Sequence, residues 1–191
     1  MAASRACASS GHQRKGGAGI PVTLDELNTA SADDAFAAFM RCCGSSRWAD
    51  GMTAARPFAS VESMMVTGDV IWSALDRADW LEAFASHPRI GESHGGQGGQ
   101  SGLTPGQWSA QEQAGVADAD AAVKERLAGR NRDYEARFGY IFIVCATGKS
   151  ASDMLDILER RLTHDPGQEL PIAADEQRRI TRLRLAKLSD R

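Results

Sequence analysis

The stretch "FGYIFIVCATG", residues 138–148, decides the fold. Aromatic and β-branched residues are concentrated in it, as they are in a buried strand. A strand needs a partner to take its backbone hydrogen bonds, and no other segment of the 191 residues reads as one. The reading that satisfies both facts is an extended, buried connector at about 138–148 inside an all-α, single compact multi-helix domain.

Helical signals surround that connector. Upstream, "TLDELN" from Thr23 gives a short helical turn, and "SADDAFAAFMRCCG" gives a helix capped by Ser31, with Asp34 at its third position and Gly44 as its stop. Ala35, Phe36, Phe39, Met40 and Cys43 then share one face. A short helix closed by Pro57 follows. Ser60 caps a longer pattern through Val61, Met64, Met65, Gly68, Trp72 and Leu75, which "DRADWLEAFAS" continues with Trp80, Leu81 and Phe84 inward. Residues 91–106, "GESHGGQGGQSGLTPG", carry no apolar periodicity and read as a loop. Thr104 and Pro105 start a helical pattern with breaks expected at Gly115 and Gly129. Downstream, Ser150 caps "ASDMLDILERRL", with Met154, Leu155, Leu158 and Leu162 at helical spacing, and Pro171 is expected to open the last helix.

Composition narrows the partners. A net charge of −3 with interspersed signs supplies no basic field for a polyanion, so a small molecule is expected and nucleic acid is not. The longest apolar run is far shorter than the roughly 20 residues of a membrane helix, so no membrane partner is expected. Cys7, Cys42, Cys43 and Cys145 form no C-x-x-C pair and read as free thiols of a reducing compartment, with the cytoplasm expected. Residues 1–22 lack any acidic residue and read as a disordered N-terminal tail, although the same composition suits an organelle transit peptide. Residues 23–191 form the expected domain.

Pro88 has no N–H to donate and pushes the residue before it out of the helical region, so "FASHPRIGES" (84–93) ends a helix at or before His87. A histidine there can serve the last carbonyls of the helix, or face something bound beyond its end. Ser109 with Glu112 in "SAQEQ" has the spacing of a capping box, and Arg161 that of a solvated charge near a helix C-terminus. "ATGKSA" (146–151) ends like a phosphate-binding loop, but Ile143 stands where its first glycine is required. His12, His87, His94 and His164 lie in unlike contexts without the ligand spacing of zinc, so no metal is expected.

Taken in order, "HPRIGE", "SAQEQAGV", "FGYIFIVCATGKSA", "LERRL" and "EQRRITRLRLAKL" resemble the 2-oxo-4-hydroxy-4-carboxy-5-ureidoimidazoline (OHCU) decarboxylases of uric acid degradation, from about Thr23 to Leu188. The resemblance implies an all-helical, commonly dimeric carboxy-lyase that uses no cofactor. It puts the catalytic histidine at His87 and a functional carboxylate at Glu112. Substrate contacts fall on Pro88, on Ser109, Ala110, Gln111 and Gln113, and on the backbone of Phe142, Ile143, Val144, Cys145 and Ala146. The substrate-site arginine falls on Arg161, with adjacent Arg160 as the alternative. The glycine-rich loop 93–103 and the tail depart from the family pattern. In some relatives the domain is fused to a hydroxyisourate hydrolase module, which is not expected here.

The implied reaction yields (S)-allantoin, and its chemistry suits a site without a cofactor. The leaving carboxylate sits beside an imine-type carbon, so the ring accepts the electron pair and the protein has only to orient groups and move protons. His87 is then the general acid/base that engages the substrate hydroxyl, Glu112 accepts ring or ureido N–H groups, and Arg161 pairs with an anionic or carbonyl oxygen. The competing reading is a non-catalytic helical module that binds a ureide or purine-like ring with the same residues.

Overall fold

The computed structural model describes residues 23–89 and 120–189. Eight helices and no strand occur among them: α1 (Leu24–Thr29), α2 (Ala32–Cys43), α3 (Ser46–Ala54), α4 (Val61–Ser73), α5 (Arg77–Ala85), α6 (Ala121–Phe138), α7 (Ala151–Arg161) and α8 (Pro166–Ser189). The expected all-α class is the observed one. Side chains set most helix starts, because the first turn leaves N–H groups without partners. Ser31, Ser60, Asp76 and Ser150 each accept from those groups, and the last three sit in reciprocal capping boxes. Gly44 and Gly139 close α2 and α6 with φ of +83° and +80°, a conformation that costs glycine nothing.

Helices α2, α3, α4, α5 and α8 pack together, while α6 pairs with α7. Trp48 lies at the centre of the first group, fully buried, with its indole N–H donated to Gly68 O at 2.9 Å. A Cβ at Gly68 would stand 3.2 Å from the Trp48 ring, so glycine is what lets α3 and α4 approach there. Phe39 meets Trp48 edge to face at 6.0 Å. Each such burial contributes about 1.5–3 kcal/mol of transfer free energy. A second aromatic group, Tyr134, Phe138, Tyr140 and Phe142, joins α6 to the connector, and Phe84 of α5 packs on Tyr140 at 5.4 Å. That contact brings the end of α5 to the connector.

Four boundaries differ from the sequence reading. Helices α4 and α5 are separate, because Asp76 accepts from Ala78 N and Asp79 N and so starts a new helix. Helix α6 runs through Gly129: one glycine costs about 1 kcal/mol, and buried Leu127, Asn131 and Tyr134 on the inner face outweigh it. The last helix opens at Pro166, not Pro171, since Asp165 O accepts from Gln168 N and Glu169 N and Pro166 fits the first helical position. The connector starts after Phe138, which is the last residue of α6. Residues 141–146 belong to neither helix nor strand, and a turn with Gly148 at φ +77° follows.

Candidate active site

Helix α5 delivers His87. Its C-cap is Ser86, and His87 N donates to Phe84 O at 3.1 Å, which closes the last turn before Pro88. The corner between α2 and α3 holds this end in place. Ser46 gives its backbone N–H and hydroxyl to the Glu82 carboxylate at 3.1 and 2.6 Å. Gly44 passes so close that a Cβ there would lie 2.2 Å from Ser86 Oγ.

The His87 residue is partly exposed, but its Nε2 is buried and makes no hydrogen bond. Gln177 and Arg184 of α8 lie beside the ring. Burial, reinforced by the Arg184 charge and opposed by Gln177, lowers the His87 pKa to about 3. The imidazole is therefore neutral at physiological pH, which removes the dipole interaction that a protonated cap histidine would gain. Neutral, it can take a proton.

Arg184 was not legible as a site residue, yet a signal for it exists. Gln177, Thr181 and Arg184 recur at helical spacing on the buried face of α8 that also carries Ile180, Leu185 and Leu188. Polar residues on a buried face need partners. Gln177 Nε2 donates to Cys43 O and to Thr181 Oγ1, both at 3.3 Å, and Arg184 Nη1 lies 3.5 Å from Cys42 O. Burial beside this stripe pushes the Cys43 thiol up to about 12.

The connector supplies peptide groups. Phe142, Ile143, Val144 and Ala146 are buried and Cys145 partly so. Ile143 O accepts from Arg161 Nη1 at 2.7 Å, Cys145 N donates to Glu176 Oε2 at 2.7 Å, and Cys145 O accepts from Lys149 Nζ at 2.6 Å. Among the described residues no hydrogen bond engages the backbone of Phe142 or Val144. Buried peptide groups of that kind are available to a ligand with amide-like edges.

Arg161 is spent elsewhere. Its Nε donates to Glu169 Oε1 at 2.6 Å and its Nη2 to Tyr134 OH at 3.2 Å, and its guanidinium stacks on the Phe142 ring at 4.8 Å. Glu169 also accepts from Tyr134 OH and meets His164 Nδ1 at 2.7 Å. A buried carboxylate needs several such partners, and the group as a whole pins Ile143 from behind. Arg160, the alternative, is exposed. Ser109, Ala110, Gln111, Glu112 and Gln113 lie outside the described residues. Among the described residues no cluster of His, Cys, Asp or Glu is suited to a metal ion.

A family model described as OHCU decarboxylase matches residues 28–186. The uric acid degradation bifunctional protein TTL of Arabidopsis thaliana is 40% identical over 147 residues, 77% of this chain, and the chain spans 45% of that protein's length. The OHCU decarboxylase of Mus musculus is 31% identical over 134 residues, 70% of this chain and 73% of the mouse protein. A crystal structure of OHCU decarboxylase in the presence of (S)-allantoin matches with a TM-score of 0.69 at 35% identity, over 83% of this chain and 98% of that one.

Proposed function

The chain belongs to the OHCU decarboxylase family, and from that premise we propose that it converts 2-oxo-4-hydroxy-4-carboxy-5-ureidoimidazoline to (S)-allantoin in the breakdown of urate. The observation that carries the proposal is a neutral, half-sealed His87 beside Arg184, at the end of a helix packed on a connector with free peptide groups.

In the proposed reaction the bond between the ring carbon and the carboxylate breaks, carbon dioxide leaves, and the electron pair enters the ring through the adjacent imine-type carbon. The imine nitrogen that takes up the pair gains a proton from water, and as the hydroxyl-bearing carbon becomes a carbonyl a second proton returns to one face of the former imine carbon, which makes the product a single enantiomer. His87, being neutral, enters as an acceptor for the substrate hydroxyl proton and is the group that hands a proton back. Pro88 shapes the approach to it. The peptide groups of Phe142 to Ala146 meet the amide-like edges of the ureido group and ring. We keep Glu112 as the carboxylate that accepts substrate N–H groups, with Ser109, Ala110, Gln111 and Gln113 around it. We move the anion-pairing part from Arg161 to Arg184, because Arg184 is the cation beside His87 while the Arg161 fork is consumed by Glu169, Tyr134 and Ile143.

Because the ring itself accepts the electron pair, the mechanism requires neither metal nor organic cofactor. Residues 23–191 form the catalytic domain in this reading, with 1–22 as a tail, and the protein works as a homodimer. Buried Cys42 and Cys43, unbridged, suit the reducing cytoplasm, and no described helix is long and apolar enough to cross a membrane.

The test is to add the protein to freshly generated OHCU and follow the circular dichroism of (S)-allantoin. The expected outcome is faster, enantiospecific growth of that signal, unchanged after dialysis against a strong chelator. Binding without acceleration supports the non-catalytic module instead, and activity restored by one added metal or cofactor overturns the proposed chemistry.

A further inference from the structure

Two buried polar atoms without hydrogen-bond partners among the described residues belong to neighbouring side chains at the candidate site: Nε2 of His87 and Oε1 of Gln177. Gln177 is fully buried, and its amide can point only one way. Its Nε2 donates to Cys43 O, which accepts and cannot donate, and to Thr181 Oγ1. A flipped amide would set two carbonyl oxygens against each other at 3.3 Å. The oxygen of Gln177 is thereby fixed as an acceptor aimed toward the ring.

The neutral ring carries one N–H, and its position follows. A proton on Nδ1 would leave the buried Nε2 lone pair beside the Gln177 oxygen, an acceptor that has no proton to give it. A proton on Nε2 matches donor to acceptor. Arg184, the charged group beside the ring, only donates and does not compete for that proton, and its Nη1 lies 3.5 Å from Cys42 O. Neighbouring Cys43 is held as an uncharged thiol by burial.

We infer that Gln177 is a positioning residue for His87: its carboxamide oxygen holds the Nε2–H tautomer and the ring orientation, so that Nδ1 is the nitrogen presented to the substrate proton. The inference rests on the proposed decarboxylase chemistry for its consequence, but not for its structural content. A wrong tautomer disables a general base even when the ring stays in place.

The test reads the tautomer and the activity separately. In protein labelled with 15N-histidine, long-range 1H–15N spectra, with His87 identified by its loss in His87→Asn, should show a single Nε2–H form across the neutral range. Gln177→Leu should yield a mixture of tautomers and lower kcat roughly ten- to a hundredfold, with KM little changed. Gln177→Glu keeps an acceptor oxygen and should retain the Nε2–H form, while its negative charge raises the His87 pKa and brings an acid limb into the pH–rate profile. An Nδ1–H ring in the wild-type protein overturns the inference, whether or not Gln177→Leu folds, and so does a tautomer indifferent to Gln177→Leu. An Nε2–H ring in a protein that does not turn over OHCU sinks the decarboxylase reading and leaves the assignment of Gln177 standing.

Discussion

His87 is the residue where local signals and buried surroundings pull in opposite directions. Its place at a helix end was legible from Pro88, and a helix C-terminus favours the charged ring. Burial and Arg184 oppose that and lower its pKa to about 3, against roughly 6.5 in an unfolded chain. The unfolded state then binds the extra proton, so this residue costs nothing above pH 6.5 and destabilises the fold as pH falls from there toward 3. Between pH 7 and pH 5 that amounts to about 2 kcal/mol. Urea unfolding should show wild type losing that much more than His87→Asn over the interval, while the variant turns over substrate about 10² to 10⁴ times more slowly. Equal pH slopes in the two proteins would count against the neutral ring. Arg184 was hidden for a different reason: "RRITRLRL" has arginines on every side of the helix, and only tertiary packing decides which is buried.

At the scale of elements, helix starts were legible because capping is local chemistry, and Ser31, Ser60 and Ser150 cap as their spacing indicates. The connector was legible for the same reason, since a β-rich run without partners has few places to go. What holds the connector was not. Arg161 reaches it across 18 positions and Glu176 across 31, separations that leave no periodic trace. Truncating one member of a buried, hydrogen-bonded pair strands the other, at a cost of about 3–5 kcal/mol. Arg161→Ala should therefore lower thermal stability by that order and loosen the 141–146 backbone in hydrogen exchange. A variant that melts normally and suffers only a raised KM would return Arg161 to the substrate.

For the whole molecule, the all-α class followed from the lack of strand partners, but the hub of the packing did not. Helix α8 joins most of the fold: Trp72 donates to Ala174 O at 3.0 Å, Gln177 to Cys43 O, and Arg178 and Arg182 both to Asp69 at 3.1 and 2.7 Å. Such adjacency between distant segments is set by three-dimensional fit, which amphipathic spacing does not encode. Association is open to measurement. Sedimentation equilibrium should give about 41 kDa, twice the 20.5 kDa of the chain, because closed two-fold dimers are the commonest assemblies; a monomer at micromolar concentration with full activity would rule out the homodimer. The buried, unengaged peptide groups of Phe142 and Val144 bear on evolution. In the proposed site, a wall made of main chain has no side chain for a mutation to delete, so residues 142–146 are expected to drift among apolar types of similar volume without losing substrate contacts. Selection acts on that wall through the distant residues that hold it, and an alanine scan along it would register packing while missing recognition.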